Sequence, residues 1–480
     1  MRAIIIGLAA LAAASSAAAQ QQPAAPAPAA MPAPSPVAPF SPQVQRTIDQ
    51  LREAGLHDDR GYDIVRDLVT QIGPRLSGSD QEARARDWAA AMLRANGFTN
   101  VHIETFPVPG WRWDRQEASI VSPSHQRLVI AALGGSPATP SGGVEAEILR
   151  FPDVLSLQNA PDAAVRGKIV FIDERMPRTQ DASGYGMAVA KRGACPRVAA
   201  PKGALACMIR SVGTDTHRFA HQGSAGRNVA IPTASISPAD ASTLATLLQH
   251  GAVRVHLEIE AGFSQGAQSG NVIADIRGRE RPDEIVVLAA HLDSWDLGQG
   301  AIDDGSGVAI ITAAARLINA LPRHPRRTIR LLIAGSEEPG GYGGDAYGKA
   351  HASEHHVIAA ESDLGADRVY RFSTGFGPEA LPFARAFQRA LAPLGIVPGP
   401  NEADGGTDIG GIKTNGTPVV DLQQDASRYF DFHHTADDTL AAIDPDQLRQ
   451  NIAAYAIFAY MAAESDWTFG NATPASPTQH

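Results

Sequence analysis

The sequence predicts an α/β fold, in which a mixed, mostly parallel sheet is sandwiched between helices and carries an inserted, mostly β segment. From residue 271 onward, short apolar runs typical of buried strands alternate with helical stretches. Between 126 and 267, short β-like runs are separated by Gly, Pro and Asp instead. The chain has 480 residues, which is too long for one ordinary hydrophobic core, so more than one domain is expected.

Three helices and a strand are predicted before the inserted segment. Apolar residues recur at helical spacing, Gly73-Pro74 ends the second helix, and Ser79 can cap the third. The predicted helices are 42–56, 61–72 and 79–97, and the predicted strand is 101–106.

In the inserted segment the sequence pattern predicts strands at 128–133, 144–149, 168–172, 204–209 and 253–259. The alternation that follows predicts strands at 271–276, 285–290, 328–334, 357–360 and 419–422. Helices are predicted at 307–318 and 380–391, and the cap Asp444-Pro445 begins a last one. The run 285–290 is almost purely apolar, as expected of a strand covered on both faces.

The N-terminus indicates export. Arg2 precedes a short apolar stretch, and the small residues Ala17 to Ala19 precede Gln20, which is the pattern of a signal peptide over 1–19. A linker rich in Pro and Ala over 20–41 cannot build a core. We therefore expect a secreted or periplasmic protein. Its catalytic domain would comprise 42–125 and 268–465, the inserted domain 126–267, and a flexible tail 466–480.

Charge, apolar content and cysteine content limit which partners and cross-links are expected. The net charge is −10 and no long basic run occurs, which argues against nucleic acid or an anionic membrane as a partner. No run after the leader is long and apolar enough to cross a bilayer. Cys195 and Cys207 are the only cysteines, and the sequence leaves open whether they form a disulfide or stay as two buried thiols.

Chemically active side chains follow successive predicted strands. His291 and Asp293 come directly after the buried strand, and a glycine-rich loop then places Asp303 at the start of a helix. Ligands of open α/β sheets gather at the carboxyl ends of strands, so these side chains can share one crevice. Taken alone, each pattern is weak, because a capped helix or a satisfied histidine explains it equally well.

The later strands repeat this arrangement. Glu337 and Glu338 end one strand, Asp363 follows the next, and the pair His433-His434 lies before the last helix. A carboxylate buried at a strand end needs a metal or a partner. Adjacent glutamates cannot face one ion equally, so one is expected to bind metal while the other transfers protons. Two histidines and three carboxylates, with one more to spare, suit a pair of zinc ions and a general base.

These motifs resemble the M28 family of zinc peptidases, and most of all its carboxypeptidase Q branch. The resemblance rests on 291–305, on Glu337-Glu338 before Pro-Gly-Gly, on 361–363 and on 429–434, and it covers about 42–465. It implies the zinc exopeptidase fold with an inserted domain similar to a protease-associated domain.

The resemblance also implies a role for each site residue. Asp303 would bridge two zinc ions, with Glu337 as general base and Asp293 holding the His291 ring in its tautomer. The peptide bond between Asp303 and Asp304 is cis in relatives. The remaining zinc ligands implied are His291 and Asp363 for one ion, and Glu338 and His434 for the other.

The expected function is a secreted two-zinc exopeptidase that hydrolyses dipeptides or short peptides, although other divalent metals suit the same ligands. An M28 aminopeptidase is the alternative, because residues 435–438 follow the wider aminopeptidase pattern. Two further alternatives are a non-catalytic binding protein on a peptidase scaffold and a one-zinc acyltransferase similar to glutaminyl cyclases. A homodimer is one arrangement that the sequence leaves open.

Overall fold

The structure is a computed structural model that describes residues 40–470. The predicted signal peptide, the linker up to residue 39 and the tail from 471 lie outside the described residues. Two eight-stranded sheets organise the described part of the chain.

The helices are α1 Pro42–Leu56, α2 Arg60–Gln71, α3 Asp80–Ala95, α4 Val154–Asn159, α5 Asp162–Val165, α6 Ser183–Ala188, α7 Lys191–Ala199, α8 Pro238–Leu247, α9 Ser306–Asn319, α10 Tyr342–Ala350, α11 Leu381–Leu391, α12 Gly410–Thr414, α13 Tyr429–Phe432 and α14 Pro445–Glu464. The strands are β1 Thr99–Pro107, β2 Trp111–Ser122, β3 Gln126–Leu128, β4 Ile130–Ala132, β5 Val144–Phe151, β6 Ile169–Ile172, β7 Ala206–Arg210, β8 Thr233–Ile236, β9 Arg254–Phe263, β10 Gln268–Ile276, β11 Arg281–His291, β12 Arg327–Ala334, β13 His355–Glu361, β14 Val369–Thr374, β15 Val397–Pro398 and β16 Val419–Gln424.

The first sheet has the strand order β1-β10-β12-β11-β13-β16-β14-β15. Its four central strands, β12, β11, β13 and β16, run parallel, while β1, β10 and β14 pair antiparallel. Because β11 to β13 are parallel, their carboxyl ends meet at one edge of the sheet. Helices α9 and α14 contribute many apolar residues to the core beside these strands. This mixed α/β architecture confirms the predicted fold class.

The second sheet has the order β3-β2-β9-β5-β6-β7-β8-β4. Its strands β5 to β8 pair in parallel; helices α4 and α5 connect β5 to β6, α6 and α7 connect β6 to β7, and α8 lies between β8 and β9. The expectation that this segment is mostly β is therefore wrong. These helices have four to ten residues, and α6 and α7 are rich in Ala and Gly, so they show little of the apolar periodicity that reveals a helix.

The second sheet also begins earlier than the predicted boundary. Strand β2 pairs along its length with β9, although residues up to 125 were expected to belong with the first sheet. The sulfur atoms of Cys195 and Cys207 are bonded, so the disulfide is the alternative that the structure contains.

The prediction that the flexible tail begins at residue 466 is wrong. Phe469 is fully buried and Trp467 nearly so, and both pack on helix α11. The ring of Trp467 stacks on Phe383 at 4.7 Å between centroids and contacts Phe40 at 4.9 Å. Aromatic burial of this kind fixes 466–470 against the core.

Other predicted elements agree closely with the structure. Helix α1 has the predicted limits, and Asp444 caps α14 by accepting from the backbone N–H groups of Asp446 and Gln447. The sequence pattern did not indicate β2, β8, β14 or the two-residue strand β15. Among residues 40–470, no helix combines the length and apolar character needed to cross a lipid bilayer.

Helix α1 packs tightly on α14 at Gly55, where an added Cβ would lie 2.6 Å from the Cα of Ala453. Gly55→Ala should therefore lower the free energy of unfolding by about 1–3 kcal/mol, the cost of overpacking a core. Urea denaturation of wild type and variant measures this.

Gly186→Ala is the matched control, because nothing lies within 4 Å of a Cβ built there in α6. That substitution should leave stability unchanged or raise it by up to about 1 kcal/mol. Equal stability of Gly55→Ala and wild type would contradict the tight α1–α14 contact.

Candidate metal centre

The predicted site residues converge at the carboxyl edge of the first sheet. His291 is the last residue of β11 and is 1% exposed, and Asp303 lies in the loop before α9. Glu338 follows β12, Asp363 follows β13, and His434 lies in the loop after α13. Parallel strands make this convergence possible, because each strand delivers its following loop to the same edge.

The carboxylate of Asp303 lies between two imidazoles. Its Oδ1 is 3.1 Å from Nε2 of His291, and its Oδ2 is 3.0 Å from Nε2 of His434. Each of its oxygens therefore faces a different ring. This is the arrangement expected of a carboxylate that bridges two metal ions.

A second carboxylate accompanies each imidazole. Oδ1 of Asp363 is 3.3 Å from Nε2 of His291, and Oε2 of Glu338 is 3.0 Å from Nε2 of His434. The site thus contains two His–carboxylate pairs on either side of Asp303. Each set can supply three protein ligands to one ion.

His433 lies beside this arrangement. Its ring stacks on His434 with 3.5 Å between centroids, and its Nε2 is 3.5 Å from Oδ2 of Asp303. Burial lowers the pKa of His433 well below its ordinary value, with the neighbouring His434 acting in the same direction. His434 contacts both Asp303 and Glu338 at shorter range, so it is the better placed ligand of the two.

The buried carboxylates fit a cation. Within residues 40–470, Oδ2 of Asp303, Oε1 of Glu338 and Oδ1 of Asp363 are buried and accept no hydrogen bond. Burial raises the pKa of Glu338 and Asp363, because the charged forms are desolvated. Such a concentration of unsatisfied carboxylate oxygens and imidazole nitrogens is stabilised by bound metal.

Asp293 supports the site differently from what the resemblance implies. Nδ1 of His291 lies 3.0 Å from the backbone carbonyl of Asp293 and 3.7 Å from its carboxylate. The carboxylate accepts instead from the backbone N–H groups of Glu337 at 2.9 Å and Glu338 at 3.3 Å. Asp293 therefore links the His291 loop to the paired glutamates.

Two more buried carboxylates hold site loops, and neither was assigned a role from the sequence. Asp438 accepts from the backbone N–H groups of Ala301 at 2.8 Å and Ile302 at 2.7 Å, just before Asp303. Glu361 accepts from three successive N–H groups in 407–409. Only the position of Glu361 at the end of a strand gave a signal in the sequence.

Arg75 also holds the loop that precedes Asp303. It is fully buried, and its guanidinium donates to the carbonyl oxygens of Gln299 and Gly300, both at 2.8 Å, and to that of Leu292. Nothing in the sequence indicated this role, since more than 200 residues separate the arginine from its partners.

Residues of the segment that carries the second sheet also contact the histidine pair of the metal centre. Gln222 donates its backbone N–H to the carbonyl of His434 at 2.9 Å, and its own carbonyl lies 3.3 Å from Nδ1 of that ring. Nδ1 of His221 lies 2.8 Å from the carbonyl of His433. These contacts position the histidine pair and were not predicted.

Unusual backbone conformations lie at the centre. Ser336 and His434 have φ of 61° and 63°, in the left-handed region that non-glycine residues rarely adopt. Such conformations persist at sites that the surrounding structure holds firmly. The bond between Asp303 and Asp304 is cis, as the resemblance implies.

Three more titratable groups surround the ligands. Burial raises the pKa of Glu337 well above its ordinary value, and carboxylates such as Asp363 add to the effect. Burial likewise raises the pKa of Tyr429 well above its ordinary value, with the negative charge of Asp303 adding to it. Asp408 is fully buried, and neither of its carboxylate oxygens bonds to a described residue. Burial raises its pKa to about 8, and the sequence gave no reason to single it out.

A cavity of about 230 Å³ opens beside the centre. The ring of Trp295, which lines it, lies 5.9 Å from that of His434. Its lining is largely apolar and includes Trp111, Phe263, Trp295, Pro339 and Tyr342. A pocket of this kind suits an apolar group of a bound ligand.

Comparisons with known proteins show which family this chain resembles. Residues 271–459 match the model of peptidase family M28. The chain is 35% identical over 432 residues to carboxypeptidase Q of Rattus norvegicus, covering 88% of this chain and 89% of that protein.

Two solved structures are also similar to this chain. The peptidase M28 precursor of Shewanella amazonensis SB2B superposes with a TM-score of 0.87 at 44% identity, covering 90% of this chain and 99% of that one. BSAP, a zinc aminopeptidase from Bacillus subtilis, shares the fold with a TM-score of 0.65 at 19% identity, covering 86% and 97%.

Asp438→Asn should weaken metal binding without removing a proposed ligand. The amide can accept fewer hydrogen bonds from 301–303, so the loop that carries Asp303 loses support. We expect zinc affinity to fall about 10–100-fold, as for other residues that orient metal ligands. Competition with a chromophoric chelator measures it.

The neighbouring Asp437 provides the control, because it is exposed. Asp437→Asn should keep wild-type affinity. If both variants bound zinc as tightly as wild type, the role assigned to Asp438 would be wrong.

Proposed function

Because this chain belongs to the M28 family and is a metallopeptidase, we propose that it is a two-zinc exopeptidase that hydrolyses dipeptides or short peptides. The observation that carries the proposal is the position of Asp303 between two His–carboxylate pairs. His291 and Asp363 would complete one zinc site, and Glu338 and His434 the other.

The ions, when bound, supply a water of lowered pKa and polarise the scissile carbonyl. Glu337 takes a proton from the water and returns it to the leaving amine as general base and then acid. Its raised pKa in the described structure reflects a desolvated carboxylate, which is suited to accepting a proton. Asp293 holds the Glu337-Glu338 backbone, so that one carboxylate binds metal while the other transfers protons.

Tyr429 is the proposed donor to the developing oxyanion. Its ring is 6% exposed and lies 5.0 Å from the ring of His433, beside the ligands. A phenol is protonated near neutral pH, and burial raises the pKa of Tyr429 further, so that it can donate a hydrogen bond.

The expectation of action on dipeptides comes from the resemblance to the carboxypeptidase Q branch. The similarity to carboxypeptidase Q extends over 88% of the chain and so includes the second sheet. The aminopeptidase alternative rests on residues 435–438. In the structure Asp438 holds the 301–303 loop, so this motif has a structural use that is independent of substrate length. A non-catalytic binding protein is disfavoured, because all five proposed ligands and Glu337 are present.

Export is part of the proposal, since the predicted signal peptide over 1–19 would direct the chain out of the cytoplasm. An oxidising compartment would be consistent with the disulfide between Cys195 and Cys207.

A panel of free dipeptides, N-blocked dipeptides and pentapeptides tests the activity. We expect hydrolysis of free dipeptides, complete loss after treatment with a chelator, and recovery on addition of two equivalents of zinc. Preference for pentapeptides would favour the aminopeptidase alternative. Activity that survives complete metal removal would contradict the proposal.

Glu337→Gln should retain zinc while kcat falls by about 10²–10⁴-fold, the usual contribution of a general base. Metal analysis and steady-state kinetics on one preparation separate the two effects. Glu379→Gln, at an exposed position, is the control. Near wild-type turnover by Glu337→Gln would show that another group accepts the proton.

A further inference from the structure

Arg192, on helix α7, is a buried cation without an acidic partner. The residue is 4% exposed, and among residues 40–470 its guanidinium forms no salt bridge. Its Nη1 donates to the hydroxyl of Tyr185 at 2.9 Å, and its Nη2 lies 3.4 Å from Nδ1 of His434. Its buried Nε has no hydrogen-bond partner in the part of the chain that the structure describes.

Several other buried arginines of the described chain are paired with carboxylates, whereas Arg75 donates to backbone carbonyl oxygens instead. Arg210 contacts Asp173 at 2.6 Å, and Arg330 contacts Asp275 at 2.8 Å. Burying a charge is costly unless an opposite charge and hydrogen bonds compensate for it. Within residues 40–470, Arg192 has neither a carboxylate partner nor the carbonyl acceptors that compensate Arg75, and it lies beside the metal centre. Its guanidinium is therefore suited to bind an anion there.

The backbone makes room for this guanidinium. A Cβ on Gly223 would lie 2.3 Å from Cζ of Arg192, and Gly223 has φ of +132°, which other residues rarely adopt. Arg192 also lines a cleft of about 1080 Å³, together with Pro339 and Gly340, which directly follow the paired glutamates. The cleft therefore reaches the segment that directly follows the paired glutamates.

We propose that Arg192 binds the free α-carboxylate of the substrate, so that the enzyme selects peptides with one residue after the scissile bond. A guanidinium matches a carboxylate in a bidentate geometry. In a dipeptide that carboxylate belongs to the residue directly after the scissile carbonyl, which suits an anchor placed next to the ligand His434. The inference rests on the proposed function and refines its substrate class.

Tyr185 has a supporting position in this arrangement. Its ring stacks on Phe430 at 4.9 Å between centroids and meets His433 edge-on at 5.3 Å. Its hydroxyl accepts from Nη1 of Arg192, which leaves Nη2 and Nε of the guanidinium as donors for a carboxylate. The two residues come from helices attached to the second sheet, which would thereby take part in substrate selection.

The test compares one dipeptide with its C-terminal amide, using wild type, Arg192→Met and Arg192→Lys. Wild type should prefer the free acid about 10- to 150-fold in kcat/KM, the range expected for charge-assisted hydrogen bonds. In Arg192→Met, kcat/KM should fall for the free acid and stay unchanged for the amide, mainly through a higher KM for the acid. The variant should keep its zinc. Arg192→Lys should recover part of the preference for the free acid. Arg166→Met, at an exposed arginine in the same segment, should behave as wild type.

A different pattern would overturn the inference. An equal fall for acid and amide in Arg192→Met, or loss of zinc, would assign Arg192 a purely structural role. Equal cleavage of acid and amide by wild type would refute carboxylate binding while leaving the proposed function intact. No cleavage of either compound by zinc-loaded wild type would refute the proposed function itself.

A binding measurement covers the case in which the arginine variants do not fold. Zinc-loaded Glu337→Gln is titrated calorimetrically with the same dipeptide and its amide. Tighter binding of the free acid by about 10- to 150-fold supports the inference. Equal affinities overturn it.

Discussion

The contact of Asp303 with two imidazoles is the constraint on which the rest of the site depends. One carboxylate faces His291 and His434 through different oxygens, and a further carboxylate accompanies each ring. Buried like charges at this separation destabilise a fold unless cations compensate for them. The parallel strands bring these carboxylates and imidazoles together, and metal binding then compensates the negative charge that folding has brought into one place. This couples the stability of the edge of the sheet to its chemistry.

The same residue type also builds the scaffold around the ligands. Asp293, Glu361 and Asp438 each accept backbone N–H groups from a loop distant in sequence. Charge-assisted hydrogen bonds of this kind are stronger than neutral ones, and they fix loops that have little regular structure. The site is therefore preorganised by carboxylates that are not among the proposed metal ligands. Contacts of Gln222 and His221 with the pair His433-His434 extend this support to the segment that carries the second sheet.

How far the sequence predicts this structure depends on the range of the interactions. Runs such as 285–290 are recognisable because burial on both faces leaves a local apolar pattern, and strand ends then indicate His291 and Glu338. Arg75, Arg192 and Asp438 escaped prediction, because their partners lie in distant parts of the chain and only the fold brings them together. Helices α4 to α8 were missed for a different reason, since short helices that pack small residues lack a clear period.

The most direct test of a bridged dinuclear centre is a crystal structure of the zinc-loaded protein with data collected at the zinc absorption edge. The expected result is two anomalous peaks about 3.5–4 Å apart, with the Asp303 carboxylate between them. One ion should lie against His291 and the other against His434. A single peak, or two peaks without Asp303 between them, would contradict the bridging role of that carboxylate.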